Sequence, residues 1–317
     1  MKKLLLMLLL ASASVFAQHH HHEMMESSAA KLTAQDDPGT HILTVRFGPV
    51  DLPARATHMQ VAQAAPQMLS VPVDGYFIAY HPRLVDAGGN ALPNQLLHHV
   101  AFWNTSRPDF LCPNKLEHIF GAGGEMNDWP ALPGFGYRVH PGEQVRVDLM
   151  LHNPTDTPHP QAFLEVRIEY VPAGAQPNLR AVYPAWFDVQ QCGNSGYDLS
   201  AGQNVTSGKF TLRYGGRLLG VGGHLHDYGE SLELVDVTSG AQVASLRSQQ
   251  DANGHVLSMP IRVFAAQGGF PLARNDVLKV TATYVNPTTK PLPDGAMGIA
   301  VGYFLPDSDT EVAALKK

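Results

Sequence analysis

The sequence predicts an all-β protein assembled from two antiparallel β-sandwich domains of jelly-roll type. Three observations carry that expectation. Hydrophobic residues alternate with polar ones at period two in many short runs, each closed by turn residues. Gly and Pro are abundant, 29 and 24 of 317 residues, while charged residues reach only 16%, against roughly 25% in an ordinary soluble protein. No fifteen-residue stretch holds a convincing 3.6 period, a weak one over residues 54–68 excepted.

Taken in chain order, Lys2 and Lys3 precede an apolar run over residues 4–10, and Val15 and Ala17 suit cleavage after Ala17. Residues 1–17 therefore read as a signal peptide, with an uncleaved anchor as the alternative. The mature chain is expected to be exported, to a bacterial periplasm or the medium, with no stable membrane insertion after cleavage. Residues 18–40 read as a flexible tail. Within it His19, His20, His21, His22, Met24 and Met25 offer soft donors suited to copper capture. A solvated linker or an engineered tag explains them equally well.

Strand patterns follow over residues 42–47, 75–80, 145–151 and 163–170. A second set covers 208–214, 216–226, 231–237, 242–247, 277–284 and 298–304. The turn-rich segment 190–196 is the best boundary, which divides the chain into domains at 41–190 and 191–317. A formal charge of −6 gives no basic surface for nucleic acid. Only Cys112 and Cys192 exist; export permits a single bridge closing a loop worth about 4 kcal/mol, with two buried thiols as the other reading.

Histidine is the compositional oddity, at 16 residues. In Gly222-Gly223-His224-Leu225-His226 the i, i+2 spacing on a strand aims both imidazoles from one face, a common way to hold a metal. His98 and His99 stand together in an otherwise apolar strand, which is costly unless each finds a partner. Adjacent strand residues face opposite ways, so their chelating one ion needs a bulge or a strand end; one core and one surface histidine is the plainer reading. His152 shares the non-core face of its strand with Arg146 and Asp148, where a surface role is commonplace. Met297 taken alone is a core residue. Glu125, in a Gly-rich loop, is a possible acid or a turn carboxylate, and Asp227 a possible hydrogen-bond acceptor for a ligating histidine.

The joint pattern is His-His, a lone His, His-x-His and a Met at a strand start, split two and two between the halves. It resembles the copper type II, ascorbate-dependent monooxygenases, the peptidylglycine α-hydroxylating and dopamine β-monooxygenase group. Local words such as Leu97-His98-His99-Val100, Leu151-His152-Asn153-Pro154 and Gly223-His224-Leu225-His226-Asp227 look closest to the "stress up-regulated Nod 19" group. That resemblance implies two sandwich domains facing across an interdomain cleft, with two copper ions per chain. It places one copper on His98, His99 and His152 and the other on His224, His226 and Met297. It further implies O₂ and a reductant such as ascorbate as partners, and hydroxylation of a substrate C–H bond. The residues before the His-x-His, Gly220-Val221-Gly222-Gly223, lack the Arg with which the peptide-amidating enzymes clamp a carboxylate, so an uncharged substrate is expected. Three other readings remain: an exported protein that binds or delivers copper without catalysis, a purely structural β-sandwich whose histidines are incidental, and a cupin-type metalloenzyme built on His224, His226 and Glu230. The cupin reading lacks its closing Gly, since Val237 stands there.

Overall fold

The computed structural model describes residues 26–27, 29–125, 128–308 and 312. The expected signal peptide and the residues His19 to His22, Met24 and Met25 lie outside that range. The first half contributes β1 (Lys31–Asp37), β2 (Ile42–Leu52), β3 (Gln67–Ser70), β4 (Gly75–Val85), β5 (Leu97–Pro108), β6 (Leu116–Gly123), β7 (Phe135–Val139), β8 (Gln144–Leu151) and β9 (His159–Pro172). The second contributes β10 (Tyr183–Asp188), β11 (Gly202–Thr211), β12 (Gly216–Leu225), β13 (Gly229–Asp236), β14 (Ala241–Arg247), β15 (Val277–Asn286) and β16 (Gly298–Pro306). The protein is all-β, as its patterning predicts. No helix among the described residues is long and apolar enough to cross a membrane.

Each half pairs a smaller sheet with a larger one. In the first, the order β3-β8-β5-β6 faces a six-stranded sheet that contains β7-β4-β9-β2-β1. In the second, β11-β15-β13-β14 accompanies β10-β16-β12, which two short strands extend. The alternation that forms these strands also sorts their faces. Along β8, Val145, Val147, Leu149 and Leu151 are buried, while Arg146, Asp148 and Met150 are only partly so. The inward residues of the first half join Leu43, Val45, Phe47, Phe102 and Val166 in one apolar cluster. A second cluster gathers Phe187, Leu218, Val221, Leu278, Tyr284 and Phe304.

Three placements depart from the sequence pattern. Lys31–Asp37, expected to belong to a flexible tail, is strand β1, held by its ladder to β2 and by Leu32 against the first core. The weak helical period over 54–68 yields no helix: turns occupy its first part, and Gln63–Ala64 and Gln67–Ser70 are extended. Pro66 removes a donor from any helical ladder there, and Gln67–Ser70 takes its hydrogen bonds from β8 instead. Strand β10 precedes residue 190 yet pairs along its whole length with β16 of the second half. The halves are also stapled covalently, since Cys112 and Cys192 form a disulfide 80 residues apart in sequence. Lys115 reinforces the staple by donating to the carbonyl of Gly193.

Candidate metal centre

The first two imidazoles owe their placement to a broken alternation. Strand β5 pairs with β8 as His99 opposite Met150 and Leu97 opposite Leu151, so the register slips by one residue at His98. Leu97 and Val100 both point into the core, at 1% and 2% exposure. A regular strand leaves no way for both residues between two such anchors to face outward. The bulge does so, and His98 and His99 emerge beside each other, their ring centroids 5.0 Å apart.

His152 follows β8 directly and continues its outward face. Its backbone N–H donates to the Leu96 carbonyl at 3.0 Å. Its ring Nε2 lies 2.7 Å from the Gln95 carbonyl, and because a carbonyl only accepts, Nε2 carries the proton and Nδ1 keeps its lone pair. Its ring stands 5.2 Å from that of His98.

His224 and His226 come from the end of β12, their rings 5.3 Å apart on one face. The buried carboxylate of Glu125 accepts from Nδ1 of His224 at 2.9 Å and from the Gly123 N–H at 3.0 Å. A Cβ on Gly123 would stand 2.6 Å from both Glu125 and His224, so glycine is what admits this contact. The pair leaves His224 Nε2 as the lone-pair nitrogen, buried and without a hydrogen-bond partner among the described residues. His226 is fixed through its backbone. Its N–H donates to the Tyr284 hydroxyl at 2.9 Å; that oxygen accepts from the Met297 N–H at 3.2 Å and donates to the Met297 carbonyl. Tyr284 thereby ties the end of the His-x-His strand to the segment that carries Met297.

These elements bring both ligand sets together. The rings of His98 and His226, one from each half, are 4.4 Å apart. Ligand atoms of His98, His99 and His226 all lie within 4.8 Å of one another. Two nitrogens each about 2 Å from one ion can be roughly 4 Å apart at most, so modest ring rotations would let the three share a metal. His99 Nδ1 and His226 Nε2 are buried and, among the described residues, unpartnered, which is the condition a metal ion relieves. Burial is the main reason the His98, His99, His152 and His226 imidazoles titrate below their ordinary value, with neighbouring imidazoles adding to it around His98, His99 and His226. His99 falls to about 3. All four are neutral at pH 7, the state that ligates metal. Burial also lowers His224, but the Glu125 carboxylate outweighs it and holds this ring above its ordinary value.

Two cavities flank the cluster. One, of 490 Å³, reaches His98, His152 and His226. The other, of 310 Å³, reaches His99, His224 and Met297. Met297 thus shares a cavity with one histidine from each half. Asp227 turns away from the ring of its neighbour: it accepts from His255 Nδ1 at 2.8 Å and from the Val256 N–H at 3.2 Å.

Three participants escape a reading of the sequence. His58 stacks on His98 with centroids 4.6 Å apart and planes 6° off parallel, yet as a lone histidine in the weakly periodic 54–68 segment it carries no motif. His255 follows Asn253-Gly254 and looks like a turn residue. Tyr284 sits on the inward face of an alternating strand and is indistinguishable there from a core aromatic.

Fold and site together define an all-β protein whose two halves contribute half-buried and buried imidazoles, most of them neutral, to one cluster that could hold a metal ion. No family model matches the chain. It is similar to a protein of Cochliobolus lunatus named probable copper-dependent oxygenase clz3, with 27% identity over 238 residues, 66% of this chain and 72% of that one. It is likewise similar to the probable copper-dependent oxygenase M1 of Phoma sp., with 27% identity over 240 residues. Those residues are 66% of this chain but 57% of that protein, so the match spans little more than half of its length. Among solved structures, the glycosylasparaginase PNGase F from Flavobacterium meningosepticum aligns over 84% of this chain and 96% of its own, at 9% identity and a TM-score of 0.41.

Proposed function

We propose that this chain is an exported copper-dependent oxygenase that hydroxylates a C–H bond of an uncharged substrate with O₂ and a reductant such as ascorbate. The observation that carries the reading is the convergence of His98, His99 and His226 from both halves, with ligand atoms within 4.8 Å and no charge to repel a cation. The similarity to two proteins named copper-dependent oxygenases supplies the metal and the reaction class.

His98, His99 and His152 would hold one copper and His224, His226 and Met297 a second, with the His226 ring also close enough to serve the first. Imidazole suits both oxidation states of copper, and the thioether of Met297 favours the reduced one. Copper supplies the redox chemistry that couples O₂ to the substrate. The protein's own residues do the rest. Glu125 orients the His224 ring and keeps its Nδ1 proton in place; Gln95 does the same for Nε2 of His152. The Tyr284 hydroxyl bridges the backbones of His226 and Met297 and so holds the two segments together in space. The Cys112–Cys192 disulfide supports an oxidising compartment and hence export.

The test is copper stoichiometry and ascorbate-dependent O₂ uptake on the full chain with His19 to His22 replaced by Ala, so that the tail contributes nothing. Two coppers, falling to about one in His99→Ala and in Met297→Ala, together with O₂ uptake that both changes abolish, is the expected result. Copper bound without O₂ uptake would make the protein a carrier. No bound copper would overturn the proposal.

A further inference from the structure

The 310 Å³ cavity beside His99, His224 and Met297 has walls that specify more than its volume. All three tryptophans of the chain, Trp103, Trp129 and Trp186, line it, together with Ile299 and Val301. Its size falls near the lower end of the roughly 300–1,000 Å³ typical of small-molecule sites. The indoles are set by their surroundings. His118 packs between Trp103 and Trp186, and Gly121 lies so close to Trp186 that a Cβ there would be 2.5 Å from its ring.

Polar atoms in this apolar wall are unmatched in a complementary way. Nε1 of Trp103 and of Trp186 are buried donors with no acceptor among the described residues. Asp148 gives Oδ2 to Arg146 at 2.8 Å, while its buried Oδ1 meets no donor among them. Trp103 pairs across the sheet with Arg146, and Ala101 with Asp148, so Trp103 and Asp148 are diagonal neighbours on one face. Buried donors and acceptors of this kind are costly unless a ligand or ordered water satisfies them, and a ligand that matches them gains both hydrogen bonds. A carboxylate would meet the carboxylates of Asp148 and Asp294 on this wall, where Arg146 is already paired with Asp148 and Lys115, although charged, is directed at the Gly193 carbonyl. An ammonium is drawn to indole faces and carboxylates but cannot accept from the two indole N–H groups, so it leaves both donors unmatched.

We infer that this cavity binds a neutral arene bearing a group that both accepts and donates hydrogen bonds, a carboxamide or hydroxyl. The ring lies among the indoles, the acceptor takes an indole N–H, and the donor reaches Asp148. That such a molecule is the substrate rests on the oxygenase reading; that it binds does not.

Calorimetric titration of the full chain with 2-naphthamide, 2-methylnaphthalene, 2-naphthoate and 2-naphthylmethylammonium tests the inference, with copper content measured on the same samples. The amide is expected to bind one per chain and the other three at least about fivefold more weakly, the worth of roughly one hydrogen bond. Trp186→Phe keeps a ring and removes the N–H; it should lower amide affinity about fivefold and leave 2-methylnaphthalene unchanged. Trp103→Phe serves the same purpose if the first variant fails to fold. Asp148→Asn should raise naphthoate affinity several-fold by removing the like charge. Naphthoate or the ammonium binding as tightly as the amide, or an amide affinity indifferent to both Trp variants, would overturn the inference. Copper loading without amide binding refutes this site alone, whereas amide binding without copper refutes the oxygenase reading alone.

Discussion

Keeping most of a desolvated histidine cluster neutral makes the metal-free protein sensitive to acid well before its carboxylates protonate. His99 gives the cleanest magnitude. Its native pKa is about 3, chiefly because burial disfavours the imidazolium, and next because His224 lies close. In the unfolded chain it titrates near its ordinary 6.5. The native pKa is depressed, so the unfolded state binds the proton first, and stability present above pH 6.5 is lost as pH falls toward 3. Between pH 7 and pH 5 the unfolded chain gains most of one proton that the native state refuses, which costs about 2 kcal/mol at this residue alone. His98, His152 and His226 act in the same direction, whereas His224 and His255 are raised and oppose them. The decisive quantity is therefore a difference. Urea unfolding of the chelator-treated protein at pH 7, 6 and 5, beside His99→Asn, should give a curve about 2 kcal/mol shallower for the variant over that range. Parallel curves would show that His99 is not held neutral in the fold, and the account of the cluster would fail with it.

The other expectations concern what holds the cluster in place. Replacing Cys112 and Cys192 by Ser together should lower stability by about 4 kcal/mol from the 80-residue loop they close, read as the urea midpoint under oxidising conditions. Tyr284→Phe strands the N–H groups of His226 and Met297 and should cost about 1–3 kcal/mol, with a lower melting temperature as the readout. Glu125→Gln should weaken copper binding about 10–100-fold while leaving the far-ultraviolet circular dichroism unchanged, because it alters the partner of His224 and no strand pairing. Gly123→Ala should act in the same direction through a different route, its Cβ displacing Glu125 and His224; unaltered copper affinity in both variants would remove Glu125 from the site.

What the sequence made legible follows the parity of strands. Alternation in β8 put His152 on the outward face together with Met150, and the i, i+2 spacing put His224 and His226 on a shared one; the structure has both. The same rule misplaces His98, because a bulge is a choice of register that only the partner strand reveals. Leu97 and Val100 are both core residues, and that fact, once known, forces the two residues between them outward together. Tyr284 and His58 had no local signature at all. Their roles come from contacts 58 and 40 residues away in sequence, His226 for one and His98 for the other, and such contacts arise from packing inside each half rather than from any strand's pattern.

Contacts between the halves explain why ligand sets from opposite halves meet. Resemblance to the copper monooxygenases implies two sites facing across a cleft, whereas here the His98 and His226 rings lie 4.4 Å apart. Strand β10 belongs by sequence to the first half and by pairing to the second, the Cys112–Cys192 disulfide ties the β5–β6 turn to the chain just after β10, and Leu219, Tyr303 and Leu305 from the second half enter the first half's core. Three separate links thus press the faces together. With His98, His99, His152 and His226 neutral, little electrostatic repulsion resists that approach; with a cation among them, their lone pairs would add to it. A bound metal is therefore expected to raise the unfolding midpoint of both halves as one transition, since its ligands are drawn from each. Removing His98 should separate what the metal joins, leaving the disulfide and the shared core to hold the halves alone.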